Sequence, residues 1–571
     1  MAPLTRKGVF RFWTHYQVES LAREGKTRGL GAYNRIVDPH ALEAARAVLP
    51  WWVRWGVVLQ WAPAGLLASV LAMWASARVA MVPLRAATPA SWVERARLVL
   101  PARAAVLFLT LYAPTVFAVF AAMSAGPFNS PGVAFTGVLV ALPTLVAVFV
   151  VRGRIERALR GRPVRTIDLA AGSGAWLLVM APHLIVAVAA VALESERFDR
   201  RTAVAFAVAA VGVAAVFAGG GVALARLLGL ARPASERLAR AVDLAARDTG
   251  VRPRGVFELR STMANALALP TARTVLFTTE AMRVLDDDEL AAIARHELGH
   301  VGESRGVVAV RVASAAVIVS VVLLFRPLAG WVAPSTGILG VLGTLLLALA
   351  LLVLALRVAL RPLARRMEER ADAVAHHHDD DERVYARALA RLYETNLTPA
   401  VLARRGVHPH LYDRLVAAGA PPPYPRPAPP SSRRLLGALL TGVGVIGAAV
   451  IVAELGWSTA AAGLRTREDD PQAIRMLIAV RGSAWEVGQL AYLEPDEKGE
   501  PPLLYAGCAA AEPDEVFCPA NLAIVLATSG RCDEARAAAR VASERADTSD
   551  SDDEKRVVVH AMEASDGCKP R

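Results

Sequence analysis

Residues 296–300 read His-Glu-Leu-Gly-His, an HExxH pattern inside the segment LDDDELAAIARHELGHVGESRG. On a helix, residues four apart lie on one face, so the imidazoles of His296 and His300 can reach one tetrahedral cation while Glu297 stands beside a water held there. The segment reads as such a helix. Asp286, Asp287 and Asp288 charge its N-terminal end, and Leu290, Ile293 and Leu298 recur at helical spacing. Two imidazoles, a carboxylate base and an acidified water are the parts needed to hydrolyse a carbonyl compound.

A catalytic zinc site also needs a third protein ligand and an open position. Downstream, RRMEERADAVA offers Glu368, Glu369 and Asp372. For an arbitrary acidic pair a solvated helix face is the ordinary reading, but the position of this one argues otherwise. His300 stands just before the apolar stretch 306–325, which has Arg311 inside it, and Glu368 stands shortly after the apolar stretch 336–356. An antiparallel helical pair would return both to the same membrane face.

Those stretches belong to a series. The chain has 571 residues, 54% hydrophobic and 20% charged, which excludes a disordered chain and points away from a wholly soluble one. Charge-free runs at 55–77, 104–151 (two membrane thicknesses, broken by GPFNSPG at 126–132), 169–193, 202–225, 336–356 and 435–453, together with 306–325, the weakest of the series because Arg311 leaves only 312–325 free of charge, predict about eight spans. The basic first 50 residues lack the apolar core of a cleavable signal peptide. The expected organisation is a basic segment 1–54, a transmembrane region 55–225, a module 226–434 that includes the hairpin 306–356 and a Pro-rich linker 420–434, a last span 435–453, and a tail 454–571.

Charge orients these parts. Residues 456–571 hold 13 Lys and Arg against 21 Asp and Glu, a net −8, which leaves +20 on the rest of a chain whose total is +12. The arginines sit in short loops beside spans, Arg152, Arg154, Arg157, Arg160, Arg162 and Arg165 above all, as the positive-inside rule expects. That argues for a cytoplasmic face at 152–168 and against nucleic-acid binding. It also places 226–305 and 357–434 in the cytoplasm and the tail outside. All four cysteines, Cys508, Cys518, Cys532 and Cys568, lie in the tail and form no CxxC pair, which favours disulfides in an oxidising compartment, with three connectivities open. Eight full spans put residues 1–54 outside despite their basic charge, whereas a re-entrant 55–77, which contains Pro63 and Gly65, would keep them in the cytoplasm.

ANALALP at 264–270, VLFTT at 275–279, ELAAIARHELGH, two spans, then EERADAVA, ALARL at 388–392 and VHPHLYDRL at 407–415 resemble the HtpX-type family of integral membrane metallopeptidases, gluzincins that include the CAAX prenyl endopeptidase. The resemblance covers about 230–420. It implies Glu368 as the third zinc ligand beside His296 and His300, with one Zn2+ per chain. It also puts Asp372 one helical turn further on, as an acceptor orienting a ligand histidine or as an aid to proton transfer.

The expected fold is therefore a polytopic α-helical membrane protein, with a mainly α zincin-type module that carries a small β-hairpin and a small α-helical exterior domain. The expected activity is a zinc endopeptidase in which Glu297 is the general base, acting on membrane or membrane-associated proteins at the cytoplasmic face. Residues 264–279 read as a strand-turn-strand whose edge pairs with an extended substrate, which makes Asn265 and Ala266 candidates for substrate binding. Asn265, His408 and Arg414 are candidate oxyanion donors. The rival readings are a signal-transducing protease with an exterior sensor that cleaves a regulator, and a non-catalytic scaffold. The tail segment 518–546 reads as one tetratricopeptide-type hairpin, a candidate site for an exterior partner or ligand. His376, His377 and His378 read as a solvated face, and Gly219, Gly220 and Gly221 as close helix packing. The Ala- and Arg-rich composition suggests a bacterial inner membrane.

Overall fold

The computed structural model describes Val37 and residues 39–86, 91–161, 163–191, 199–378, 383–402, 409–467, 469–493, 500–512, 515–547 and 551–570; within 325–357 it describes backbone only. The chain is mostly helical. Among the described residues six helices are long and apolar enough to cross a bilayer: Gly56–Ala80, Trp92–Ser124, Phe135–Arg160, Arg200–Leu227, Arg305–Leu324 and Ser432–Arg465. Large apolar side chains such as Leu111, Val138, Val211 and Val452 are exposed on them, as a lipid-facing surface requires. The protein is an integral membrane protein.

Six expected spans therefore coincide with such helices. The stretch 169–193 instead divides into Thr166–Met180 and Pro182–Val191, each too short to cross alone, because Pro182 has no N–H with which to continue the first helix. The expected span 336–356 falls where only the backbone is described. Gly56–Ala80 runs without a break through Pro63 and has the length of a full span.

Two compact units are present. One contains the segments up to Ala72, Phe108–Val148 and Gly442 onward, and the other contains Met73–Leu107 and Phe149–Thr441.

The second unit holds a four-stranded sheet of β1 (Ala231–Pro233), β2 (Gly255–Leu259), β3 (Ala266–Leu269) and β4 (Thr274–Thr278), in the order β1-β2-β4-β3. The hairpin expected at 264–279 is β3 and β4, paired antiparallel with Ala266 opposite Phe277. β2 joins β4 in parallel and β1 closes the other edge, two strands that the sequence reading did not contain. The helices of this module are α1 (Glu236–Thr249), α2 (Asp287–Val301), α3 (Arg305–His377), α4 (Val384–Asn396) and α5 (Leu411–Ala417). Alternation along β4 serves both faces of the sheet. Val275 and Phe277 share a core with Leu238 of α1 and Leu290 and Leu298 of α2. Leu276, with Leu259 and Leu267, packs on Leu178, Val179 and Val222 of the short helices Thr166–Met180 and Gly221–Leu227. Gly221 lies against the Leu178 carbonyl, where a β-carbon would come within 2.2 Å.

Polar anchors fix the approach to β3. Buried Glu156 takes ion pairs from Arg103 and Arg160. Arg103 also donates to the Asn396 carbonyl at 2.6 Å, and Arg160 to the Thr262 carbonyl at 2.7 Å. The Asn396 side chain in turn accepts from the Ala264 N–H and donates to the Ala264 carbonyl, at 2.9 and 2.6 Å. Thus Arg160 of the basic stretch 152–168 secures the turn that leads into the edge strand.

α3 is helical over 73 residues, and a straight helix of that length would carry Glu368 about 95 Å from Arg305. Instead Glu368 lies 3.5 Å from His300, and residues 307–318 and 360–368 line one pocket. The element therefore doubles back on itself, and its two arms run side by side where they meet α2.

In the first unit, Pro471–Arg481, Ala484–Leu493, Glu500–Ala511, Phe517–Thr528, Cys532–Ala546 and Asp552–Asp566 form an Ala-rich helical body. Disulfides join Cys508 to Cys518 and Cys532 to Cys568. Phe517–Thr528 and Cys532–Ala546 make the expected helical hairpin, turning at Gly530, whose φ of 76° suits glycine. The helix Pro39–Val48 contributes Ala41 and Ala45 to the same core. The basic N-terminal region thus has its described part built into the C-terminal body.

Candidate metal centre

α2 begins with a reciprocal cap. Asp286 accepts from the Glu289 N–H at 2.9 Å, and Glu289 accepts from the Asp286 N–H at 3.0 Å. Glu289 is fully buried and also accepts from Arg387 and Arg391 of α4, which ties the two helices together. One face of α2 carries His296, Glu297 and His300, all buried.

Opposite them the returning arm of α3 presents Glu368. His296 Nε2 lies 3.7 Å and His300 Nε2 3.5 Å from the Glu368 carboxylate oxygens. Ligand atoms at tetrahedral positions about 2.0–2.1 Å from a zinc ion lie about 3.3–3.4 Å apart, so the three groups are spaced to accept that ion with small adjustments. The donor set, two imidazole nitrogens and one carboxylate oxygen, is the one zinc takes in hydrolytic sites.

The outward nitrogens confirm the direction in which the rings are held. His296 Nδ1 lies 3.1 Å from Asp372 Oδ1 and 2.8 Å from the Tyr385 hydroxyl, which itself donates to Asp372 at 2.7 Å. Arg414 donates through Nε to Asp372 at 2.9 Å and through Nη2 to the Tyr385 oxygen at 2.7 Å. His300 Nδ1 lies 3.0 Å from Glu303 Oε1, which also accepts from Arg311 at 2.7 Å. With each Nδ1 engaged by oxygen acceptors, both Nε2 atoms face Glu368. Burial opposes protonation of His300, but hydrogen bonds to Glu303 and Glu368 outweigh it and lift its pKa to about 10. A cation entering the site therefore displaces a proton. Burial also opposes ionisation of Asp372, yet its bonds to His296 and Arg414 hold it well below the usual carboxylate range, a fixed anion behind His296.

Of the residues singled out in the sequence, His296, His300, Glu297, Glu368 and Asp372 come together here. Arg414 joins them from behind, bound to Asp372. Asn265 stands just before β3, with its backbone paired to Thr278 across the hairpin, and Ala266 opens the strand. His408 lies outside the described residues. Glu369 turns outward to Arg365. His376 stacks edge-on against Tyr385, and Asp379, Asp380 and Asp381 lie outside the described residues. Tyr385 and Glu303 were not anticipated. The only sequence signal for Glu303 is its place three residues past His300, and Tyr385 comes from a separate helix.

The family model of peptidase family M48 matches residues 233–435, a range that takes in every residue of this cluster. This module belongs to peptidase family M48. Searches of curated proteins and of solved structures returned no match. M48 membership implies a zinc metallopeptidase, and the His296, His300 and Glu368 cluster is compatible with that chemistry. The M48 module accounts for 36% of the chain's length, from β1 to the start of the Ser432–Arg465 span.

Beside the site lies a pocket of about 460 Å³. Its walls are Val307, Val310 and Ile318 from one arm of α3, Leu360 and Leu363 from the other, and Ala268 to Ala272 from the end of β3 and its turn, with Glu368 among the lining residues. Gly219, in a π-type bulge with φ 107°, also borders it.

Proposed function

We propose that this protein is a zinc endopeptidase that cleaves membrane or membrane-associated proteins at the cytoplasmic membrane surface. The observation that carries the reading is the pair of imidazoles whose Nε2 atoms converge on Glu368 while their Nδ1 atoms are held by carboxylates. A zinc ion held by His296, His300 and Glu368 would supply the Lewis acidity that activates water and polarises a peptide carbonyl.

The chain's own residues supply the rest. Glu297, adjacent to His296 on α2, takes the proton of the attacking water and passes it to the leaving amine. Asp372 and Tyr385 hold His296 in the tautomer whose Nε2 is a donor to metal, and Arg414 keeps Asp372 ionised and in place. Among the described residues β3 is an edge strand, paired in the sheet with β4 alone, so an extended substrate segment can add to it by backbone hydrogen bonds. The apolar pocket lined by the two arms of α3 suits side chains drawn from a membrane segment.

Replacing Glu297 by Gln removes the base and keeps the ligands. The variant is expected to bind zinc as the parent does and to lose proteolysis of a membrane substrate by about 10²–10⁴-fold. Full proteolysis by a zinc-loaded Glu297→Gln chain would overturn the reading.

A further inference from the structure

Arg311 is a basic side chain about 9 Å along the helix from Arg305, inside a segment otherwise fit to cross a bilayer. Such residues are costly in a span and mark function when a partner is present. Its partner is Glu303, whose side chain is 1% exposed and stands in the short link between α2 and α3. The same oxygen, Glu303 Oε1, meets Arg311 Nη2 at 2.7 Å and His300 Nδ1 at 3.0 Å. Arg311 also lines the apolar pocket and remains 43% exposed.

The arrangement repeats, on the other imidazole, what Asp372 and Arg414 do for His296. In both, a carboxylate holds Nδ1 and an arginine holds the carboxylate. The difference lies in where the arginine comes from. Arg414 is buried on α5, whereas Arg311 belongs to the membrane-spanning arm and faces the pocket.

We propose that Glu303 and Arg311 are a positioning pair for His300, through which the membrane arm of α3 sets the geometry of the metal site. This rests on the zinc reading of His296, His300 and Glu368. Glu303 fixes the tautomer and ring angle of His300, and Arg311 fixes Glu303 without touching the imidazole itself.

The test uses the full chain in detergent, with zinc affinity measured against a chromophoric chelator and the visible absorption of the Co(II)-loaded protein recorded beside it. Glu303→Ala is expected to weaken zinc about 10–100-fold and to shift the Co(II) bands. Glu303→Gln, which keeps an acceptor oxygen, restores most of both. Arg311→Ala weakens zinc by a smaller factor, and adding it to Glu303→Ala costs nothing further, because its effect passes through Glu303. The proposal is overturned if folded Glu303→Ala binds zinc as tightly as the parent, if Arg311→Ala leaves affinity and Co(II) spectrum unchanged, or if the two losses add in full. His300→Ala separates the two readings. Loss of zinc there with full affinity in Glu303→Ala sinks only the positioning pair, whereas equal affinity in parent and His300→Ala sinks the metal site as well.

Discussion

The M48 module and the C-terminal helical body bury different chemistry. The module holds Glu258, Glu289, His296, Glu297, His300, Glu368, Asn396, His410 and Arg414 below the surface, and Glu258, Glu289 and Arg414 are held there by ion pairs. The C-terminal body is packed mainly with alanine, leucine, isoleucine and valine, closed by two disulfides, and among its described residues buries only Glu486 and Ser565 as polar groups. A charged interior gains little net stability over an apolar one, but it fixes side-chain directions. A cross-linked apolar interior gives stability and leaves no reactive group inside. The first suits chemistry and the second suits a durable platform.

That contrast can be broken by experiment. The largest effect is expected from Arg414→Ala, which leaves Asp372 as a buried carboxylate without its cation. The module should lose about 3–5 kcal/mol, and zinc affinity should fall with it, both measured on the purified chain. Converting Asp372 to Asn in the same chain should recover part of the stability and none of the zinc affinity.

Next comes the Cys532–Cys568 bridge, which closes 36 residues. Replacing both cysteines by Ser should cost the C-terminal body about 3–4 kcal/mol by the loop-entropy relation. Limited proteolysis of the tail would report the loss. Zinc affinity should stay at the parental value; a fall would mean that the two regions are energetically joined and that the contrast does not hold.

The smallest effect concerns Glu486. Burial lifts its pKa above the ordinary value, with Arg465 at 3.6 Å as a partial offset. The folded body then binds a proton more readily than the unfolded chain, so this group's contribution to stability grows as pH falls from neutral through the raised value and is complete below the ordinary glutamate range. Glu486→Gln should therefore stabilise the body by a fraction of a kcal/mol at neutral pH, and the difference should vanish in acid. A difference independent of pH would show that the carboxylate is not strained by its burial.

The site was legible where spacing carries the chemistry. HExxH declares two ligands because a helix repeats on one face at four residues. Two apolar stretches between His300 and Glu368 implied a return to the same face, and the family resemblance selected Glu368 over Glu369. What escaped comes from long-range partners. Tyr385 reaches His296 from another helix, and β1 and β2 are short strands that sheet pairing stabilises more than any alternation of their own. Arg311 weakened the prediction of its span, because a hydropathy reading sees a charge but not the Glu303 that takes it. The basic stretch 152–168 read as a marker of topology, yet Arg160 also holds the Thr262 turn before β3.

The central claim is that His296, His300 and Glu368 bind one zinc ion for hydrolysis. Zinc content and zinc-edge X-ray absorption on the full chain test it most directly. One zinc per chain with two imidazole nitrogens and a carboxylate oxygen at about 2.0–2.2 Å, lost in the His296→Ala, His300→Ala and Glu368→Ala variants, is the expected result. Zinc retained with the same shell in all three variants, or no stoichiometric zinc in the parent, would contradict it.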